Sequence, residues 1–97
     1  MPTYISLCNW TDQGIRSVKD VPKRLEGARN MMKDAGGELK AFYLTMGGYD
    51  FVTITEAPSD EAAAKVLLAI ASAGNLRTTT LKAFDETQTG QILRSLG

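Results

Sequence analysis

The chain has 97 residues, the length of one domain, and its 43% hydrophobic and 23% charged residues are typical of a globular protein. Eleven basic and eleven acidic side chains balance, so the positive field that non-specific nucleic-acid binding needs is absent. There is no histidine, which excludes Ser-His and Cys-His catalytic pairs as well as histidine-ligated zinc, iron or haem. We therefore expect no metal and no cofactor.

The cellular compartment is predicted from the cysteine content and from hydropathy. Cys8 is the single cysteine and cannot form an intrachain disulfide, which favours a reducing compartment. Residues 1–10 lack the basic run and apolar core of a signal peptide. The longest apolar-rich run, 62–73, contains Lys65 and is too short to span a bilayer. We predict one cytoplasmic domain over residues 1–97, with no membrane and no nucleic-acid partner.

The first half of the chain predicts a strand followed by an interrupted helix. Residues 3–9 alternate in hydrophobicity and are enriched in β-branched and aromatic types, as strands are. Apolar residues then recur at steps of three and four from Ile15 to Ala35, which indicates a helix. Because Pro22 interrupts this pattern, we expect a short helix, an irregular joint and a longer helix, capped by Asp20 and ended by Gly36-Gly37.

The second half predicts a hairpin, a helix, a strand and a terminal helix. Residues 38–46 and 49–56 are two strands separated only by Gly47-Gly48, the sequence of a two-residue hairpin turn. Ser59 is the N-cap of the next helix, and residues 76–84 form the fourth strand. Asp85 and Gln88 have capping-box spacing ahead of a C-terminal helix. The order β-α-β-β-α-β predicts an α+β, ferredoxin-like sandwich with a four-stranded antiparallel sheet.

This fold covers one face of the sheet with helices and leaves the other, here called the open face, to be explained. Side chains alternate between the faces, and we assign the more apolar set to the helices: Ile5, Leu7, Phe42, Leu44, Val52, Ile54, Leu81 and Ala83. The open face then carries aromatic, small and hydroxyl side chains: Tyr4, Ser6, Cys8, Trp10, Ala41, Tyr43, Thr45, Phe51, Thr53, Thr55, Thr78, Thr80 and Lys82. Such a face predicts a homo-oligomer of two or more subunits, a ligand cavity, or both.

The candidate ligand-binding residues are those of this face and its rim. They are Tyr4, Trp10, Tyr43, Tyr49, Phe51, Thr53, Thr78, Thr80 and Lys82. Trp10 is equally suited to stacking on a flat ligand and to a subunit contact. Lys82 is the only charged residue in this set, and it either extends its ammonium to the rim of the face or binds an anion. The basic cluster of Lys19, Lys23 and Arg24 is typical of a solvated surface.

Asp50 and Lys82 are candidate proton-handling residues. By alternation, Asp50 lies on the side of the sheet that carries Val52 and Ile54. The residue pattern favours a structural role for Asp50, as an acceptor for backbone N–H groups near a helix end or the turn. The alternative is a general base beside a cavity. Cys8 has no local feature that stabilises a thiolate, which favours a small buried apolar side chain.

Three segments resemble the GYD domain family: "YISLCNWTDQGIRSVKDVPKR" near the start, "GGYDFVTI" in the hairpin and "LRTTTLKAF" in the last strand. The family takes its name from Gly-Tyr-Asp, here residues 48–50. The resemblance covers nearly the whole chain in the same order. It implies a ferredoxin-like fold of the dimeric α/β-barrel type in small prokaryotic proteins of unsettled function, and it implies no catalytic residue.

Three functions stay open at this point. The first is a homo-oligomer that holds a small organic ligand on the open face. The second is a cofactor-independent oxygenase or isomerase, in which a tyrosine, Lys82 or Asp50 would move protons. The third is a structural or regulatory assembly module without a ligand.

Overall fold

A computed structural model describes residues 1–97 and has the predicted order of elements. They are β1 (Thr3–Trp10), α1 (Asp12–Arg16), a 3₁₀ turn (Val18–Asp20), α2 (Val21–Asp34), β2 (Glu38–Leu44), β3 (Phe51–Glu56), α3 (Asp60–Ala71), β4 (Leu76–Ala83) and α4 (Glu86–Arg94). The strands lie in the order β2-β3-β1-β4, and every neighbouring pair is antiparallel. The chain therefore has the predicted ferredoxin-like fold with an added C-terminal helix. None of its helices is both long and apolar enough to cross a membrane.

The predicted joint between α1 and α2 is confirmed. Asp20 occupies the N-cap position of α2, although its side chain makes no capping hydrogen bond. Gly36 adopts a φ of 84° after the helix, and Gly37 donates its backbone N–H to the Met32 carbonyl at 2.9 Å. With the 3.0 Å bond from Gly36 to the Lys33 carbonyl, this is a Schellman motif, which fixes where the chain leaves α2 for β2.

The connection between β2 and β3 is longer than predicted. β2 ends at Leu44 and β3 begins at Phe51, so residues 45–50 form a loop, which is closed by a 3.0 Å bond from the Thr45 N–H to the Asp50 carbonyl. Only Gly47 of the glycine pair has a positive φ, at 114°. The predicted two-residue turn is therefore wrong, since four residues, 46–49, lie between the two ends of this closing bond.

The register reverses the predicted faces in three of the four strands. Residues that pair directly across neighbouring strands share a face, and Tyr4, Ser6 and Cys8 are buried. The helix side of the sheet carries Tyr4, Ser6, Cys8, Trp10, Leu39, Phe42, Leu44, Phe51, Thr53, Thr55, Leu76, Thr78, Thr80 and Lys82. The open face carries seven aliphatic side chains and Tyr43, together with six polar side chains. The aliphatic ones are Ile5, Leu7, Ala41, Val52, Ile54, Leu81 and Ala83, and the polar ones are Thr3, Asn9, Glu38, Glu56, Arg77 and Thr79. Only β2 has the predicted orientation.

This reversal has a physical reason. The prediction took the more aliphatic set as the set that meets the helices, but alternation separates two sets without showing which one the helices cover. The helix side tolerates its small polar side chains because they bond to one another. The Thr80 hydroxyl lies 2.9 Å from that of Ser6 and 2.8 Å from that of Thr78. Buried hydroxyls that are paired in this way cost little free energy.

The buried core lies between the sheet and the helices α2 and α3. Its cluster consists of Tyr4, Met32, Leu39, Ala57, Ala63 and Val66. The β2–β3 register shifts between Leu39 and Ala41, which leaves Lys40 as an extra residue in a β-bulge. Because of this bulge, Leu39 and Phe42 both lie on the helix side, where Phe42 lines a cavity between the sheet and the helices α2 and α3.

Candidate functional site

A cavity of about 200 Å³ lies between α2, α3 and the helix side of the sheet. Eleven of its thirteen wall residues are hydrophobic: Trp10, Val21, Leu25, Ala28, Met31, Phe42, Phe51, Ala69, Ile70, Ala73 and Leu76. The other two are Arg24 and Asn75. Since a dry apolar cavity of about 150 Å³ can hold benzene, this one has room for a compact ring with a short substituent.

Three aromatic rings from three strands form one wall of this cavity. The ring centroids of Trp10 and Phe51 are 5.2 Å apart, at an interplanar angle of 37°. Those of Phe42 and Phe51 are 5.3 Å apart, at 29°. Phe51 is buried and joins the other two rings into one continuous surface. An aromatic wall of this kind suits a flat, apolar ligand.

The cavity reaches the surface between α2 and α3. Met31 of α2 lines it and is 41% exposed, and Ala69 and Ala73 line it from the other side and are also exposed. Methionine is flexible and polarisable, so it can move aside or close over an occupant at small cost. The entrance therefore needs no rearrangement of the sheet.

Arg24 brings the only formal charge to this wall. One of its terminal nitrogens, Nη2, donates to the carbonyls of Gly14 at 3.2 Å and Ser17 at 2.8 Å. Its Nε is buried and has no hydrogen-bond partner, and no carboxylate lies within 4.0 Å of the guanidinium. The predicted solvated basic cluster is therefore wrong for Arg24. Its spacing from Val21 and Ala28, three and four residues away, places it on the apolar stripe of α2 and was the signal that could have identified it.

An adjoining space of about 70 Å³ is lined by the small polar side chains of the helix side. Thr53 and Thr78, two of the predicted ligand residues, line it together with Cys8. Burial raises the pKa of the Cys8 thiol, against a smaller opposing effect of its hydrogen bond to Thr78. A thiol that is harder to ionise is a poor nucleophile, so Cys8 is the small buried residue that was predicted.

Tyr4 and Lys82 lie far from this cavity, at the other end of β1, where both contact Asp60 in the first turn of α3. The Tyr4 hydroxyl donates to Asp60 Oδ1 at 2.5 Å, and the Lys82 ammonium lies 3.2 Å from the same carboxylate. Burial, with the charge and hydrogen bond of Asp60, raises the pKa of Tyr4 to about 12. The Tyr4 hydrogen bond and Lys82 together lower the pKa of Asp60. This cluster ties β1 and β4 to α3.

We expect stability at alkaline pH to depend on this cluster. The pKa of Tyr4 rises on folding from 10.0 to about 12, so its contribution is complete below pH 10 and is lost as the pH rises towards 12. Tyr4→Phe should lower the free energy of unfolding at pH 8 and flatten its decline between pH 10 and 12. Urea unfolding across this range measures both effects. Tyr43→Phe is the matched control, and an unchanged slope in Tyr4→Phe would contradict the assignment.

Asp50 joins the loop of residues 45–50 to the end of β1. Its carboxylate accepts the Trp10 N–H at 2.8 Å, and its own N–H donates to the Cys8 carbonyl at 2.8 Å. Asn9 adds a 3.0 Å bond from its side-chain amide to the Gly48 carbonyl. The backbone-acceptor role predicted for Asp50 is confirmed, but its donor is the last residue of β1, and Asp50 precedes β3. The Gly-Tyr-Asp segment thereby holds Trp10 in place beside the cavity.

The remaining predicted site residues lie elsewhere. Tyr43 is on the open face opposite Val52 and is 60% exposed. Tyr49 is 40% exposed in the loop, where its carbonyl accepts the Thr45 hydroxyl at 2.6 Å. The structure thus brings Trp10, Phe51, Thr53 and Thr78 together, with Thr80 beside them. It separates Tyr4, Tyr43, Tyr49 and Lys82 from that group, and Asp50 adjoins the group through its bond to the Trp10 N–H without lining either space.

The two candidate proton-handling residues do not share a site. Asp50 bonds to Cys8 and Trp10, whereas Lys82 pairs with Tyr4 in the sheet register. Four to six strand residues separate these positions, which is about 13–20 Å at roughly 3.3 Å per residue. Asp50 and Lys82 therefore cannot act together on one small molecule.

Among solved structures, this chain resembles a feast or famine regulatory protein from M. tuberculosis, which was solved in complex with L-methionine. The TM-score is 0.67 at 20% identity, over 88% of this chain and 51% of that one, so this chain spans about half its length. It also resembles a protein of Arabidopsis thaliana, with a TM-score of 0.62 at 17% identity over 88% of this chain and 95% of that one. These likenesses support the fold alone.

Sequence comparison gives a closer relationship. The chain is 37% identical over 84 residues to a protein of Thermus thermophilus named glutamine synthetase and cystathionine beta-lyase binding protein. The match covers 86% of this chain and 88% of the relative. The model of the GYD domain matches residues 4–93, which include all four strands of the sheet apart from Thr3. The chain therefore belongs to the GYD domain family.

Proposed function

We propose that this protein is a homodimer that binds a small apolar organic molecule in the cavity between its helices and its sheet. The aromatic-walled cavity of about 200 Å³ is the observation that carries the proposal. Ligand sites are typically concave and apolar with few polar groups, and Arg24 and Asn75 are the only polar residues of this wall.

The open face supports the proposed dimer contact, whereas the proposed ligand site lies on the opposite, helix-covered side of the sheet. An antiparallel sheet with one face in water normally carries polar side chains there, whereas half of the side chains on this face are aliphatic and its polar ones lie mainly at the ends of the strands. Ile5, Val52 and Ile54 lie at its centre and Leu81, which is 47% exposed, lies at its edge. A second copy of the chain would cover this patch by stacking face to face. The single cysteine keeps the reducing cytoplasm as the proposed compartment.

A neutral apolar probe tests the ligand site. We expect toluene to shift the NMR signals of the Trp10 indole N–H and of the Leu25, Ile70 and Leu76 methyl groups, because these groups line the cavity. Trp10 is the only tryptophan, so its indole signal is unambiguous. The methyl signals of Ile5, Leu7 and Ile54 on the open face serve as the internal control. Shifts confined to the open face, or no shifts at all, would contradict the proposal.

A second candidate function is an assembly module that binds metabolic enzymes. The name of the 37% identical relative, which refers to binding of glutamine synthetase and cystathionine beta-lyase, favours it. The two functions are compatible, because a ligand between α2 and α3 would alter a surface available to a partner. Sedimentation velocity of the protein mixed with each purified enzyme tests the module, and unchanged sedimentation with both would count against it.

The third candidate, a cofactor-independent oxygenase or isomerase, has less support. Lys82 is paired with Asp60, Asp50 accepts a backbone N–H, and the pKa of Cys8 is raised. Each of these groups has a structural role that explains its placement. None is directed at the cavity with the partner that a general base or nucleophile requires.

A further inference from the structure

The geometry points to a specific class of ligand: we infer that the cavity binds a small monocarboxylate, with its apolar body against the aromatic wall and its carboxylate on Arg24. Because this anion would occupy the proposed ligand cavity, the inference rests on the proposed function. It adds the charge of the ligand and the residue that recognises it.

The first observation is that Arg24 has no counter-ion. Its side chain is half-buried in the wall of an apolar cavity, and no carboxylate of the chain lies within 4.0 Å. Removing a charge from water is costly unless it is paired, and buried cations in proteins are normally paired with anions. The exposed Arg29 on the same helix shows the usual alternative, a 3.4 Å ion pair with Glu26.

The second observation is an incomplete hydrogen-bond set. Nη2 of Arg24 is already bonded to the carbonyls of Gly14 and Ser17, which fixes the plane of the guanidinium. The buried Nε has no acceptor. Because Nε is closed to solvent and Nη2 already has two acceptors, the donors open to a ligand are those of the other terminal nitrogen, Nη1. A carboxylate that accepted from Nη1 would supply the missing charge through a charge-assisted hydrogen bond.

The cavity limits the rest of the ligand. At about 200 Å³ it admits a single ring with a short substituent, and it offers Asn75 as the only other polar wall residue. A phosphate or dicarboxylate that lay wholly inside the cavity would leave its further charges against hydrophobic side chains, which is unfavourable. A monoanion on a compact apolar body therefore fits best.

Phenylacetate and its neutral isostere phenylacetamide form a matched pair of probes. We expect phenylacetate to bind the wild-type dimer about tenfold more tightly or better, because hydrogen bonds to charged groups are the stronger ones. The Trp10 indole signal reports the affinity of both probes. This comparison requires no variant, so it holds even where a substitution of Arg24 impairs folding.

Arg24→Gln should abolish the preference for phenylacetate while leaving the affinity for phenylacetamide nearly unchanged. Arg29→Gln on the same helix is the control, and it should preserve the wild-type preference. Equal binding of the two probes, or a preference that survives in Arg24→Gln, would overturn the inference. If toluene still bound in that case, the proposed apolar site would stand without its anion. If toluene also failed to bind, the proposed function and the inference would fall together.

Discussion

Gly14→Ala should lower the free energy of unfolding by about 2 kcal/mol, because there is no room for a side chain at this position. A Cβ atom on Gly14 would lie 1.9 Å from the carbonyl oxygen of Asn75, a backbone atom that cannot move aside alone. Thr11 fixes this contact through bonds to Asn75 at 3.1 Å and to Gly74 at 2.5 Å. Relief of the clash must therefore detach α1 from the connection between α3 and β4.

Thermal unfolding measures this effect. For a domain of this size, about 2 kcal/mol corresponds to a fall in Tm of roughly 8–16 °C. Gly27→Ala is the matched control, since a Cβ on Gly27 would meet nothing within 4 Å and alanine favours the helix interior by about 0.5–1 kcal/mol. We expect Gly27→Ala to unfold at the wild-type temperature or above. Equal Tm values for the two variants would show that α1 does not pack on Asn75.

The same substitution connects the fold to the site. The Gly14 carbonyl accepts a hydrogen bond from Arg24, and Asn75 lines the cavity. A displaced α1 would release the guanidinium and open the cavity wall. We therefore expect Gly14→Ala to weaken binding of phenylacetate more than binding of phenylacetamide.

Ile5→Lys should convert the proposed dimer into a monomer. Ile5 lies on the central strand β1, and its register partners on the open face are Ile54 and Leu81. In a face-to-face dimer each substitution occurs twice and buries two unpaired charges. Burying these two charges costs about 4 kcal/mol or more in total. A cost of this size raises the dimer dissociation constant roughly a thousandfold.

The monomer should remain folded, since a lysine on an uncovered face can extend its ammonium into water. Sedimentation equilibrium at low micromolar concentration measures the state of association, and circular dichroism checks the fold. Leu68→Lys, at a position that is 71% exposed on α3, introduces the same charge away from the open face and should leave the dimer intact. A dimeric Ile5→Lys variant would place the subunit contact elsewhere.

The elements of this fold were predictable because their signals are local. The caps at Ser59 and Asp85, the joint at Pro22 and the glycine after α2 each act within a few residues, and the structure contains all of them. The order of these elements predicted the ferredoxin-like topology, and the family resemblance agreed with it.

The orientation of the sheet could not be predicted in the same way. Both sets of side chains of β1 are hydrophobic enough to be covered, so the pattern of Tyr4, Ile5, Ser6 and Leu7 does not identify the set that meets the helices. The bulge at Lys40 and the bond from Asp50 to β1 depend on long-range pairing and have no local signature. Arg24 was missed for another reason: its charge suggested the surface, although its helical spacing placed it on the buried stripe.

On this proposal the two faces of the sheet have separate roles, with a dimer contact on the open face and a ligand cavity under the helices. Native mass spectrometry of the unmodified protein tests whether the open face is a subunit interface. We expect a species of twice the 10.5 kDa chain mass, with any retained ligand visible as added mass. A species of 10.5 kDa at micromolar concentration would contradict it, because the aliphatic face would then lie in water.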